Sequence, residues 1–427
     1  MDDVPVTSVP IGRVDIADHE WRDFISQNLE VDIERWRAKG PLRAADVWTL
    51  LDDLYTRYGP LPGVWRVVML WKNRLYWVQR DKVDSVGEAP ELASTLHECF
   101  GRRVTRWLQS GLLQLPDVIF LLNVDDNAPR VCGPGKTCAV PPLSVGKTID
   151  HTGPDEDILV PQLMWQSNSY HYAAWGLKKD VAFFRGNTFC SGKWVNPVPN
   201  CSVACPRNYL AWRSDRDARD NRQPRYLEAG IVEKADMWWL QDTNPLSRAA
   251  MEACNPEPLP ILDRVPMAEH AKYKYLLHLE GITYSSRLNQ LMLTNSLVLL
   301  QRQPFVEYFY RSLRPGVHYV PFWNVTPNAT AGRLDDIYDV IDDLRRRDHA
   351  DPRDLQRIIA AAQDFALKFT TGSGRARYLR EALTRYKSLF SDMDPYLEQF
   401  VAGLKAKGYM QPTNGTLLTN GSIDAHG

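Results

Sequence analysis

The sequence predicts an α/β protein of two domains with largely parallel sheets. Three observations point there. At 427 residues the chain is long enough for two separate cores. Short, nearly continuous apolar runs alternate with amphipathic stretches in both halves, the pattern of strands followed by covering helices. The block from Lys272 to Pro321 reads as strand, glycine turn, helix, buried strand, helix, strand. An apolar content of 44% and a charged content of 24% are ordinary for a globular chain. The formal net charge of −1 argues against bulk nucleic-acid binding. No uninterrupted apolar run approaches the ~20 residues of a membrane span.

Taken in order, Val47 to Tyr58 is expected to be helical, with Leu50, Leu51 and Leu54 on one face. Val64 to Val78, rich in Val, Trp and Leu and broken by Lys72-Asn73, reads as a hairpin. Glu91 to Leu108 is an amphipathic helix ended by Pro116. Asp117 to Asn123 is an apolar strand that delivers Asp125 and Asp126 at its C-terminal end. Asn127 to Asp157 reads as loop, and Ile158 to Trp165 as another strand. Asp180 to Phe184 is a strand ending in FFRG. A Cys-, Pro- and Asn-rich insertion follows between Gly186 and Arg207, then a charged, solvated stretch from Ser214 to Arg225. After the Lys272–Pro321 block come two helices, Leu334 to Arg347 and Leu355 to Phe369, the second starting near Asp351-Pro352. Gly372 to Gly374 is a hinge-like break, and Arg375 to Lys407 is helical again. The expected division is a lobe of residues 1–175, a lobe of residues 176–374, a helix over 375–410 that crosses back to the first lobe, and a disordered Thr-, Asn- and Gly-rich tail over 411–427.

The N-terminus lacks the basic start and apolar core of a signal peptide. Sequons at Asn200, Asn324, Asn328, Asn414 and Asn420, and seven cysteines, nevertheless point to the secretory pathway. Cys132 and Cys138 form a tight pair, Cys190, Cys201, Cys205 and Cys254 a cluster, and Cys99 is the expected odd thiol. Disulfides are favoured over zinc for the cluster, because it contains no CxxC pair and no paired histidines.

The Lys272–Pro321 block carries the clearest chemistry. Gly281 closes its first strand, and Ser285 and Arg287 are expected on the first turn of the following helix. Free N–H groups at a helix start and a nearby guanidinium are a ready anion site. Together with LLNVDD, DILVPQLMW, FFRGN and FVEYFYRSLRPGVHYVP, all in matching order over roughly residues 115–390, this block resembles glycosyltransferase family 90, the Rumi-type protein O-glucosyltransferase and fungal capsule-associated protein family. The resemblance implies a GT-B-like fold of two Rossmann-like lobes with an interlobe cleft. It also implies a UDP-sugar co-substrate in the C-terminal lobe and no separate cofactor. The acceptor would be a protein or glycan hydroxyl, and the location the lumen of the endoplasmic reticulum or Golgi, or outside the cell.

The resemblance assigns residues as well. Asn123-Val124-Asp125-Asp126 stands where Rumi-like chains carry Asn-x-Arg-Asp, which makes Asp126 the catalytic base and leaves Asp125 as a departure from the pattern. Asn187, Arg207, Gly281, Ser285, Arg287 and Glu307 are the matching donor-binding residues, with Arg213 as the alternative to Arg207. His318 and Tyr319 are expected to pack rather than react. Asp155-Glu-Asp157, Asp215-Arg-Asp217 and Asp392-Met-Asp394 spell DxD, but none follows a buried strand, so no catalytic metal is expected. Glucose and xylose both remain open as the sugar. Polysaccharide or lipopolysaccharide xylosyl transfer and a catalytically silent lumenal glycan- or protein-binding scaffold are the competing functions.

Overall fold

The computed structural model describes residues 4–59, 65–78, 83–85, 95–124, 131–150, 152–189, 206–233, 260–323 and 336–409. The chain divides into two compact units. One comprises Met1–Asp15, Trp165–Pro304 and Leu313–Thr371, and the other Ile16–Met164, Phe305–Ser312 and Gly372–Gly427. They are called here the C-terminal and N-terminal units.

The C-terminal unit is built on a five-stranded sheet in the order Leu227–Glu233, Lys179–Asn187, Tyr273–His278, Leu297–Gln301, Val320–Phe322. Every pairing is parallel. Parallel strands need crossovers and are covered on their faces, so they read as apolar runs rather than alternating ones; Leu297–Gln301 is buried at every position. The helices Pro206–Arg219, Asp336–Ala350 and Pro352–Phe369 share one core with the sheet through Leu210, Ile337, Ile341, Leu355 and Ile359. The last of them starts where Asp351 accepts a hydrogen bond from the Arg353 N–H and Pro352 occupies the first turn. Of the charged stretch Ser214–Arg225, the first half closes the helix Pro206–Arg219, with Ser214 and Asp217 buried, and the rest follows it as turn and loop. The N-terminal strand Thr7–Pro10 pairs with Ser169–Tyr172 in this unit, a long-range pairing that no local pattern announces.

The N-terminal unit departs from the expected parallel sheet. Its six strands run in the order Val83–Ser85, Arg74–Val78, Trp65–Trp71, Val118–Asn123, Leu143–Ser144, Ile158–Leu159. The first four are antiparallel to their neighbours and the last two join in parallel. The hairpin dictates this. Lys72 and Asn73 both have positive φ, 47° and 58°, the backbone of a tight two-residue turn that reverses the chain. The Ile158–Trp165 strand shrinks to two residues. Part of the Asn127–Asp157 stretch, read as loop, is short strand instead: Lys147–Asp150 pairs with Gly153–Pro154 and with Phe305–Val306.

The same unit contains the Cys132–Cys138 disulfide, with Cα atoms 5.7 Å apart, and Cys99 is a free thiol. Cys190, Cys201, Cys205 and Cys254, the sequons and the tail lie outside the described residues. In unreduced, denatured protein Cys132 and Cys138 are expected to resist thiol alkylation and to label only after reduction, as peptide mapping can read.

Three further helical expectations are corrected. FVEYFYRSL is a two-residue strand, Phe305–Val306, and a short 3-10 turn, Tyr310–Ser312, because its first residues pair with the distant strand Lys147–Asp150. Gly372 opens the helix Gly372–Lys387 instead of breaking it, the chain having already turned at Thr370–Thr371. Arg375–Lys407 is two helices, the second Met393–Ala406. Between them Leu42 lies beside Phe390 and the Ala44 N–H donates to Asp392.

Candidate functional site

In the five-stranded sheet the chain enters at Lys179–Asn187, moves to one side for Leu227–Glu233, then crosses back to the other side for Tyr273–His278. The strand order reverses between Lys179–Asn187 and Tyr273–His278. In open α/β sheets, ligands bind beyond the carboxyl ends of strands at such a switch point. The residues found there are Gly186 and Asn187 from one strand and Leu279, Glu280 and Gly281 from the other.

Arg207, 5% exposed, bridges the two strand ends. Its Nε donates to the Glu280 carbonyl at 2.7 Å, and its two terminal nitrogens donate to the Leu279 and Asn187 carbonyls at 3.4 Å each. Gly281 is needed for this closeness rather than for a left-handed turn: a Cβ there would stand 3.0 Å from an Arg207 terminal nitrogen. Arg287 comes to the same place. Its guanidinium and that of Arg207 lie 5.8 and 5.7 Å from the Phe184 ring. Among the described residues Arg287 donates to the Arg185 carbonyl and pairs with no carboxylate. Burial holds it below the usual arginine range, and the like charge of Arg264 adds to that. An arginine stays protonated under such pressure, so a part-buried positive charge stands here with no carboxylate partner among the described residues.

Five of the residues singled out in the sequence, Asn187, Arg207, Gly281, Ser285 and Arg287, thus gather in one unit around one strand switch. Two details differ from expectation. The helix after the glycine is only five residues long, Leu288–Met292, with Arg287 as its N-cap and Ser285 before it. The backbone N–H groups at the turn are also used internally, Glu280 by the Gln301 side chain and Gly281 by the Thr283 carbonyl. Positive charge here comes from guanidinium groups more than from a helix end. Ser285 contributes its carbonyl to His278 Nε2 at 2.8 Å. Burial pushes that imidazole down to about 3, so it is a neutral donor.

Other assignments fall elsewhere. Arg213 stacks on Tyr338 at 5.2 Å and its Nε donates to that hydroxyl, away from the glycine turn. His318 packs on Phe365 and its Nδ1 accepts from the Arg314 N–H at 3.0 Å, a structural role. Glu307 belongs to the N-terminal unit, unlike the other donor-binding candidates. Asp125 and Asp126 lie outside the described residues. The strand that leads to them ends in a polar chain: Asn123 Nδ2 donates to Ser144 Oγ at 3.2 Å, and Ser144 donates to Asp157 at 2.5 Å. Sequence reasoning missed Asn123's partners and Gln301, because each meets its neighbour only through the fold.

Asp155 and Asp157 are both buried, Asp155 accepting from the Thr148 N–H. Asp217 accepts from the Tyr338 hydroxyl, and Asp392 from the Ala44 N–H. Each DxD triplet therefore has at least one carboxylate committed to a structural bond. Among the described residues no group of three or more His, Cys, Asp or Glu is placed to hold a metal.

Glu307 is 3% exposed, and burial pushes its carboxyl up to about 8 although Arg375 pulls the other way. The folded chain therefore keeps a proton that the unfolded chain releases near pH 4.5. Stability from this group is present below that pH and is lost as pH rises towards 8. Glu307→Gln removes the titration. The melting temperature of the variant minus that of the wild type is expected to rise between pH 5 and pH 8.5; a difference independent of pH would mean that Glu307 ionises normally.

The parallel α/β unit thus carries two guanidinium groups, Arg207 and Arg287, at its strand switch, where open α/β sheets bind their ligands. The family profile described as glycosyl transferase family 90 matches residues 162–416, more than half of the chain. The chain belongs to that family. Among its relatives are the O-glucosyltransferase rumi homolog of Aedes aegypti, 26% identical over 332 residues and 72% of each chain, and protein O-glucosyltransferase 1 of Rattus norvegicus, 29% identical over 302 residues and 67% of each. Protein O-glucosyltransferase 3 of Mus musculus is 25% identical over 292 residues, 64% of this chain and 47% of that one, so the chain spans about half the length of some relatives. Anabaena HepE, solved in complex with UDP-glucose, shares 13% identity over 48% of this chain and 49% of its own at a TM-score of 0.28. A likeness of that size assigns no residue.

Proposed function

We propose that this chain is an inverting, metal-independent glycosyltransferase that moves glucose or xylose from a UDP-sugar to a hydroxyl of a protein or glycan. The supporting observation is Arg287, a part-buried guanidinium without a carboxylate partner among the described residues, beside Arg207 at the switch of a parallel sheet. A departing UDP gains negative charge as the glycosidic bond breaks, and fixed guanidinium groups stabilise that charge in the transition state without reorganising. Asp126 takes the proton of the attacking hydroxyl, so the nucleophile reaches the anomeric carbon opposite the leaving group and inverts it. In this reading the chain is a GT-B-like enzyme whose C-terminal unit holds the donor through Asn187, Arg207, Gly281, Ser285 and Arg287. The chain works in the lumen of the secretory pathway or outside the cell, where the Cys132–Cys138 disulfide persists.

The test is a donor screen. UDP-glucose and UDP-xylose are expected to be hydrolysed slowly and to raise the melting temperature, and GDP- and ADP-sugars to do neither. No response to any UDP-sugar at millimolar concentration would leave a catalytically silent scaffold as the better account. Turnover is also expected to survive EDTA, because cationic side chains take the part of a divalent ion. Loss on chelation with recovery on Mn²⁺ would overturn the metal-independent mechanism.

A further inference from the structure

The strand Leu297–Gln301 is apolar until its last residue. Gln301 is 0% exposed. A buried amide is costly for each group left unmet, so an apolar side chain is the more stabilising choice at such a position. Gln301 Oε1 accepts from the Glu280 N–H at 2.9 Å, while its Nε2 has no partner among the described residues. The same Glu280 presents its carbonyl to Arg207 Nε, and the preceding Leu279 carbonyl faces an Arg207 terminal nitrogen. Glu280 is therefore held at both backbone polar atoms, by Gln301 on its N–H and by Arg207 on its oxygen. The orientation of the Arg207 fork follows those carbonyls, because a guanidinium donates in a fixed plane.

We propose that Gln301 is a positioning residue of the diphosphate subsite: it fixes the Glu280 backbone and so aims Arg207 at the phosphates. This rests on the UDP-binding reading above. With Gln301 apolar, the Glu280 N–H loses its partner, the turn relaxes, and Arg207 loses its alignment. An amide nitrogen without a partner among the described residues, at a fully buried position, is the cost that this alignment offsets.

The experiment measures UDP and uridine affinity by calorimetry, and melting temperature, for wild type, Gln301→Met, Arg207→Ala and the double variant. Gln301→Met is expected to weaken UDP binding by about three- to tenfold, the scale of one hydrogen bond, and to leave uridine binding unchanged. In the Arg207→Ala background it is expected to have no further effect, because both changes act on one guanidinium. Wild-type UDP affinity in Gln301→Met, or losses that add in full, would overturn the proposal. Gln301→Leu repeats the comparison if the Met variant does not fold; failure of both to fold assigns Gln301 to stability and overturns it as well. A wild-type chain that binds no UDP is a separate result: it removes the nucleotide reading and this inference with it.

Discussion

Asp126→Asn is expected to lower sugar transfer by about 10²–10⁴-fold, the worth of a positioned general base, while UDP affinity stays nearly unchanged. The amide keeps the size of the carboxylate and most of its hydrogen bonding but cannot take a proton at neutral pH. The position follows a buried strand, Val118–Asn123, whose carboxyl end is tied through Asn123 and Ser144 to Asp157. Such a strand end is a firm base from which to present a reacting group. Asp125→Asn is expected to cost far less, since related chains carry Arg there. Single-turnover assays with an identified acceptor, or donor hydrolysis in its place, separate the two. If Asp125→Asn abolishes transfer and Asp126→Asn does not, the base is the neighbouring residue. If neither matters, the chain is a scaffold.

Arg287→Ala is expected to weaken UDP binding by about 1.5–3 kcal/mol, the range for hydrogen bonds to charged groups, or roughly ten- to hundredfold. The loss falls on a guanidinium whose bond among the described residues goes to the Arg185 carbonyl, so removing it strands no carboxylate among them. That makes a fall in affinity attributable to the lost ligand contact rather than to a broken ion pair. Calorimetric titration with UDP measures it, and equal affinity of wild type and variant would remove Arg287 from the site.

How far each feature was legible follows from the range of the interactions behind it. Val47–Tyr58, the hairpin at Lys72-Asn73, the strand before Asp125 and the Asp351-Pro352 helix start are set by neighbours within a few residues, and the sequence predicts them closely. Arg287 and Gly281 were legible as a motif, because strand, glycine and arginine sit close together in the chain. The aromatic-rich FVEYFYRSL misled: it reads as a helix, but Phe305 and Val306 pair with Thr148 and Lys147 far along the chain, and such a tertiary pairing outweighs a weak local preference.

By itself the sequence determined the apolar strands, their turns and the set of polar residues proposed here for the donor site and the base. Only the tertiary structure decided that Arg207 rather than Arg213 lies on Gly281, that the turn amides are spent on Gln301 and Thr283, and that Glu307 belongs to the unit of Asp32 and Arg375. The physical reason is separation along the chain. Arg207 and Gly281 meet because two parallel strands end side by side after a long crossover, and a side chain's partner across such a gap is fixed by sheet order and packing. No local preference of the residues in between encodes it.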